Sequence, residues 1–229
     1  MSADLIETFP ALVDIPGLRH GFTLRHPGID VKTDRATALE RLDAHFHDCL
    51  DALAIPHHRV ATGEQVHGNH IAVCSGEGFP GSPIFPETDG LITNVPGQYL
   101  GVYVADCGAV FLIDPVNRAC GLVHSGKKGT ELGIAPRAIA AMEENFGSAA
   151  GDLVVQLAPC IRPPAYEIDF AARIVADCRE SGVPANQVYD CDTCTSTDLE
   201  RYYSYRIEQG ETGRLFAVVG FADAELEAS

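Results

Sequence analysis

Positive charge is what this chain has least of. It carries 16 basic side chains against 32 acidic ones, for a formal charge of −16. Only three of the basic residues are lysines, Lys32, Lys127 and Lys128, and no lysine or arginine occurs between Arg59 and Arg118. So acidic a protein repels nucleic acid and anionic membranes, which excludes an extended phosphate-binding face but leaves room for one small anion. No apolar run approaches the ~20 residues that a membrane span needs. The opening residues offer neither a cationic n-region nor an apolar h-region, so the expected compartment is the cytoplasm, where thiols stay reduced. The eight cysteines show no framework spacing and are expected mostly as small buried hydrophobes. Cys191-Asp-Thr-Cys194 lacks the second CxxC of a tetrahedral zinc site, and its expected role is structural.

What is present describes a folded protein. Apolar residues make up 46 % of the chain and charged residues 21 %, unlike a disordered acidic tail. No repeat or low-complexity linker divides residues 1–229, which read as one domain. Gly and Pro, 22 and 14 in number, punctuate many short elements. Residues 35–53 place apolar side chains at helical spacing after a cap at Asp34 or Thr33. Helices are also expected over 131–146, with Pro136 tolerable only near the first turns, and over 170–179. Strands are expected at 18–24, 60–66, 70–74, 91–93, 100–105, 109–113, 120–124, 153–157 and 215–221, with a loop at 75–87. Helices fall between groups of strands, which favours layered mixed α/β over a strictly alternating βα fold.

Three segments combine reactive side chains with tight turns: Gln65-Val66-His67-Gly68, Ala105-Asp106-Cys107-Gly108, and His124-Ser125-Gly126-Lys127-Lys128-Gly129-Thr130. A reactive group at a strand end, followed by glycine, is held rigidly yet left reachable. In the third segment the lysine pair is expected just ahead of a helix N-terminus, where backbone amides and two ammonium groups attract a small anion. The closing Gly-Lys-Ser/Thr of a P-loop is missing. Taken by residue type alone, an imidazole or a thiolate is a borderline-soft ligand suited to Zn²⁺, and each segment offers one, at His67, Cys107 and His124. Without metal, Cys107 could instead act as a nucleophile with His124 or His67 as base. Asp106 would project to the opposite side if its strand continued.

At these segments the chain resembles the YfiH-type, laccase-domain family, also labelled multicopper polyphenol oxidase and purine nucleoside phosphorylase. The matching pieces are His20-Gly-Phe-Thr-Leu-Arg25, Gln65-Val-His67-Gly68, Thr88-Asp89-Gly-Leu-Ile-Thr93, Ala105-Asp-Cys107, Val123-His124-Ser-Gly126, Ala158-Pro-Cys-Ile161 with Tyr166-Glu167, Cys194-Thr195, Tyr203-Ser-Tyr-Arg206 and Thr212-Gly-Arg214. They run from about residue 18 to 220. The resemblance implies a layered α/β/β/α sandwich with internal duplication and mixed sheets. It also implies a site where His67, Cys107 and His124 hold zinc, or copper, and act in catalysis. The implied activity is phosphorolysis of adenosine, inosine, guanosine or methylthioadenosine, with adenosine deamination. Arg25 matches an arginine near the family's substrate, and with Lys127 and Lys128 it is the candidate for binding phosphate. Lys127-Lys128 stand where the family carries Trp-Arg, and Lys is a point charge without the bidentate fork of Arg.

The rival readings are a cysteine-dependent hydrolase or amidase that edits peptidoglycan precursors, a copper-dependent polyphenol oxidase (laccase), and a non-enzymatic binding protein with a vestigial site. The nine histidines do not form the clusters of paired His that a multicopper oxidase needs. The expected partners are a purine nucleoside and phosphate, with neither nucleic acid nor membrane.

Overall fold

The computed structural model describes residues 5–76 and 82–223. In chain order the elements are β1 (Ile6–Glu7), α1 (Pro10–Val13), β2 (Leu18–Thr23), α2 (Arg35–Ala52), β3 (Val60–Gly63), β4 (Ile71–Val73), β5 (Ile84–Phe85), β6 (Gly90–Thr93), β7 (Tyr99–Val104), β8 (Gly108–Asp114) and β9 (Ala119–Ser125). They continue with α3 (Lys127–Glu131), α4 (Ile134–Phe146), β10 (Val154–Leu157), α5 (Phe170–Glu180), β11 (Val188–Asp190) and β12 (Leu215–Phe221). The strands form two mixed six-stranded sheets, ordered β1-β2-β12-β7-β3-β5 and β11-β10-β8-β9-β6-β4.

The period-two alternation of strand side chains sorts the chain into layers. In β8, Ala109, Phe111 and Ile113 join the core that also contains Phe22, Val102 and Ala217 of the first sheet. The intervening Val110 and Leu112 face the other way, into a second core with Ile134, Ala138 and Met142 of α4 and Ile174 of α5. In β9, Cys120 and Leu122 face between the sheets, whereas Ala119 and Val123 face the helices. On the outer face of the first sheet, Phe46 of α2 packs on Tyr103 and Phe216 at ring-centroid distances of 5.6 and 5.5 Å. The result is the expected α/β/β/α stack. Because β8 and β9 are apolar on both faces, each is buried throughout.

Helix α2 starts where its cap dictates: the Asp34 carboxylate accepts hydrogen bonds from the amides of Ala36 and Thr37. The helix expected over 131–146 is instead divided. Gly133 takes the left-handed conformation at φ 70°, which breaks the run into α3 and α4 and leaves Pro136 in the first turn of α4. The lysine pair accordingly forms the first turn of α3 rather than preceding a helix. The expected strand at 60–66 stops at Gly63. Beyond it, the Gln65 side chain takes over the pairing with β7: its amide donates to the Tyr103 carbonyl at 2.7 Å and accepts from the Tyr103 amide at 2.9 Å. The main chain is thereby released to turn towards the second sheet. Two-residue β5, inside the expected loop at 75–87, pairs parallel with β3; residues 77–81 of that loop lie outside the described residues.

Phe111 is fully buried and its ring meets Phe9 at 5.3 Å, in the layer shared by both sheets. Phe111→Ala is expected to lower the unfolding free energy by about 3–5 kcal/mol, read from urea denaturation; an unchanged midpoint would contradict a common inter-sheet core.

Candidate metal centre and its cavity

The side chains that face between the sheets run out of core at one end of the sandwich, and there they become polar. His124 continues the inward parity of Cys120 and Leu122 along β9, and it pairs across the ladder with Ala109 of β8. Cys107, on the same parity as Ala109, precedes β8 and packs against the inter-sheet core. His67 arrives from the turn that follows Gln65. The structure thus brings together His67, Cys107 and His124, with their ligand atoms all within 4.8 Å of one another. The two imidazole rings meet edge to face at 4.8 Å.

Asp89, immediately before β6, organises this cluster. Its side chain has no exposed surface. One carboxylate oxygen accepts from the amides of Val66 at 3.1 Å and Gly68 at 2.7 Å. The other accepts from the His67 amide at 2.9 Å and from Nδ1 of His124 at 2.8 Å. Three successive amides converge on one anion because His67 is left-handed, at φ 59°, a conformation that costs about 1–3 kcal/mol in a non-glycine residue. Burial alone would raise the Asp89 carboxyl, but the hydrogen bonds from His124 and Gly68 outweigh it and keep it below the usual carboxylate range.

With Nδ1 committed to Asp89, His124 has only Nε2 left for Cys107. Burial pushes the Cys107 thiol up; hydrogen bonds from His124 and His67 overcome that and bring it down to about 6. Burial also disfavours the charged form of His124, yet Asp89 and Cys107 reverse the effect and raise it to about 9. In metal-free protein the pair is therefore a thiolate beside an imidazolium. The same donor set fits a metal: a thiolate, an imidazole oriented by a buried carboxylate, and a second, exposed imidazole. Gly126 is part of the fit, since a Cβ there would lie 2.5 Å from the Cys107 sulfur.

The cluster opens into a cavity of about 690 Å³ whose wall includes Tyr103, Tyr166 and Tyr205, with Arg35, Arg206 and Arg214. Asp106 does not extend a strand. β7 has already ended, and Asp106 turns at φ 80°. Its carboxylate accepts from the Thr195 hydroxyl and the Arg206 amide, both at 2.7 Å, and so fastens the tyrosine-bearing wall beside Cys107.

Arg25, Lys127 and Lys128 do not line this cavity. Arg25 lies in a separate groove, where it donates to Glu208 at 2.6 Å and stacks over Tyr203 at 4.4 Å. Lys127 and Lys128 are exposed on α3, and Lys127 borders a different cleft with Arg173. Sequence reasoning gave Asp89 no role, although an acidic residue directly before an apolar strand is a usable signal. It also did not place Gln65, Arg35 and Arg214 in the cavity wall.

The family model described as multi-copper polyphenol oxidoreductase laccase matches residues 20–176 and 167–222, and the chain belongs to that family. A relative named purine nucleoside phosphorylase YlmD, from Geobacillus stearothermophilus, is 29 % identical over 203 residues, covering 73 % of this chain and 74 % of its own length. The Bacillus subtilis protein of the same name is 28 % identical over 166 residues, and the match spans 60 % of each chain. Among solved structures, that of YlmD from Geobacillus stearothermophilus superposes with a TM-score of 0.84 at 22 % identity, covering 96 % of this chain and 99 % of that one.

The low Cys107 value has a direct chemical readout. Metal-free protein at pH 7 is expected to be alkylated by iodoacetamide first at Cys107, with a rate midpoint near pH 6, followed by peptide mass mapping. Cys49, Cys74 and Cys178, pushed up to about 12 by burial, stay unlabelled. A Cys107 midpoint in the ordinary thiol range would sink the ion pair.

Proposed function

We propose that the protein is a purine nucleoside phosphorylase working at His67, Cys107 and His124, with adenosine, inosine, guanosine or methylthioadenosine as substrate and adenosine deamination as a second reaction. The observation that carries this reading is the His-Cys-His cluster in the wall of a cavity of about 690 Å³, in a chain whose relatives bear that enzyme name. Such a volume suits a small-molecule ligand.

Zinc is the metal that two imidazoles and one thiolate favour, and bound there it would supply Lewis acidity towards the substrate. In phosphorolysis a phosphate oxygen bonds to the ribose C1′ as the C1′–N9 bond breaks. The electron pair of that bond passes to the purine, which takes up a proton. The chain's own share is to bind, orient and exclude water. Tyr103, Tyr166 and Tyr205 offer ring surface for a purine. Arg206 is held over Tyr166 at 4.7 Å and by Glu167 at 2.7 Å. Asp89 fixes the His124 ring and Asp106 fixes the wall.

A second reading has its own support. Asp89, His124 and Cys107 form an acid–imidazole–thiolate series, the arrangement that activates a cysteine nucleophile. Retained hydrolysis in chelated protein, abolished by alkylating Cys107, would favour that reading over the metal centre.

The deciding experiment incubates zinc-loaded protein with each nucleoside, with and without phosphate, and resolves the products by mass. Free base and pentose 1-phosphate are expected only with phosphate, and their absence from every nucleoside defeats the reading. Cys107→Ser is expected to lose both zinc and turnover. Gly126→Ala, which removes no ligand but displaces the Cys107 sulfur, is expected to weaken zinc binding roughly 10–100-fold, measured by competition with a chelating dye.

A further inference from the structure

The cavity beside Cys107 is lined by three arginines, and not all of them are ion-paired. Of its three arginines, Arg206 is answered by Glu167. The other two are not. Arg214, just before β12, is 9 % exposed, and its Nη1 donates to the carbonyls of Thr212 at 3.1 Å and Gly213 at 2.9 Å. Among the described residues no carboxylate forms an ion pair with it. Arg35, the first residue of α2, likewise has no ion pair among the described residues, and it lines the same cavity. Burial and then the charge of Arg35 work against protonated Arg214, so the two guanidinium groups are near enough to repel, while Tyr205, Cys107 and Asp106 favour its charged form without ion-pairing to it.

Acid is plentiful elsewhere, with 32 carboxylates in the chain, yet Asp106 and Asp34 direct their oxygens to other donors. Both Asp106 oxygens accept other hydrogen bonds, from Thr195 and from the Arg206 amide. Asp34 is turned onto the amides of Ala36 and Thr37. A buried cation next to a second cation is unfavourable unless something supplies the missing negative charge. Two planar forks set around one space match the geometry of a tetrahedral oxyanion better than point charges do.

We propose that Arg35 and Arg214 form an oxyanion subsite in the Cys107 cavity, taking inorganic phosphate or the phosphate group of a pentose 1-phosphate. The identity of the anion rests on the phosphorylase reading above; the arginine pair without an ion-paired carboxylate does not. The subsite draws its phosphate ligands from the start of α2 and the approach to β12, elements other than those that carry Cys107 and His124. The exposed lysines of α3 take no part in it.

The test is calorimetric titration of the zinc-loaded full chain with inorganic phosphate, and separately with ribose 1-phosphate, without nucleoside. Arg35→Gln is expected to weaken phosphate binding at least tenfold and to raise the phosphate KM to match, with the nucleoside KM within twofold of wild type. Because Arg214 also ties down two carbonyls, Arg214→Lys is used there: it keeps the charge, loses the fork, and is expected to weaken binding in the same direction. Tighter binding of ribose 1-phosphate, lost in the same variants, would identify the sugar phosphate as the occupant; equal or weaker binding identifies free phosphate. Wild-type affinity in both arginine variants, or loss of binding only in a Lys127→Gln/Lys128→Gln double variant, overturns the subsite. Phosphate binding that depends on Arg35 in a protein that cleaves no nucleoside would leave the subsite standing and remove the phosphorylase reading. Nucleoside cleavage with an unchanged phosphate KM in both arginine variants would do the reverse.

Discussion

The Asp89 carboxylate accepts hydrogen bonds from three successive amides of the turn at residues 66–68 and from Nδ1 of His124, with its side chain entirely out of water. Those partners come from different sheets. The turn follows β3 of the first sheet, whereas His124 belongs to β9 of the second. One buried anion therefore joins the sheets at the end of the sandwich where hydrophobic packing gives out. It selects which imidazole nitrogen faces Cys107, and it stabilises the left-handed backbone at His67. Its main-chain oxygen also accepts from the His124 amide at 2.7 Å, so the same residue sets both the strand position and the ring orientation.

Electrostatically the site is a local exception in an acidic protein. Asp89 and the Cys107 thiolate bring negative charge to a buried place, which is tolerable because His124 sits between them and amides surround the carboxylate. Arg35 and Arg214 line the same cavity, and among the described residues no carboxylate forms an ion pair with either.

The sheets were legible in the sequence because β7, β8, β9 and β12 are apolar and punctuated by turn residues, and α2 because Asp34 caps a periodic run. The misses have local causes. β5 is two residues long and makes no periodic signal. A glycine in the left-handed conformation separates α3 from α4, and a single Gly within a helical pattern does not announce that conformation. Gln65 reads as one more strand residue, yet its side chain does the pairing. The metal-capable residues stood out because His and Cys at Gly-flanked strand ends carry chemistry in themselves. Cations were harder to place. Adjacency and scarcity drew attention to Lys127 and Lys128, but α3 turns both to solvent. Arg35 and Arg214 are 179 positions apart in the chain, and only the packing of α2 against the first sheet brings them to one space.

The inward alternation of β9 makes the centre depend on counting. Cys120, Leu122 and His124 share one side of the strand, and Val123 and Ser125 the other. Inserting a single residue after Leu122 would turn the imidazole into the layer of α4 and present a different side chain to Asp89, although no ligand had been removed from the sequence. Two inserted residues would restore the side but carry the ring about 7 Å further along the strand. The chemistry at this end of the sandwich is therefore written in the evenness of a spacing as much as in the identity of the residues, and a change in the length of β9 would erase it as surely as a substitution.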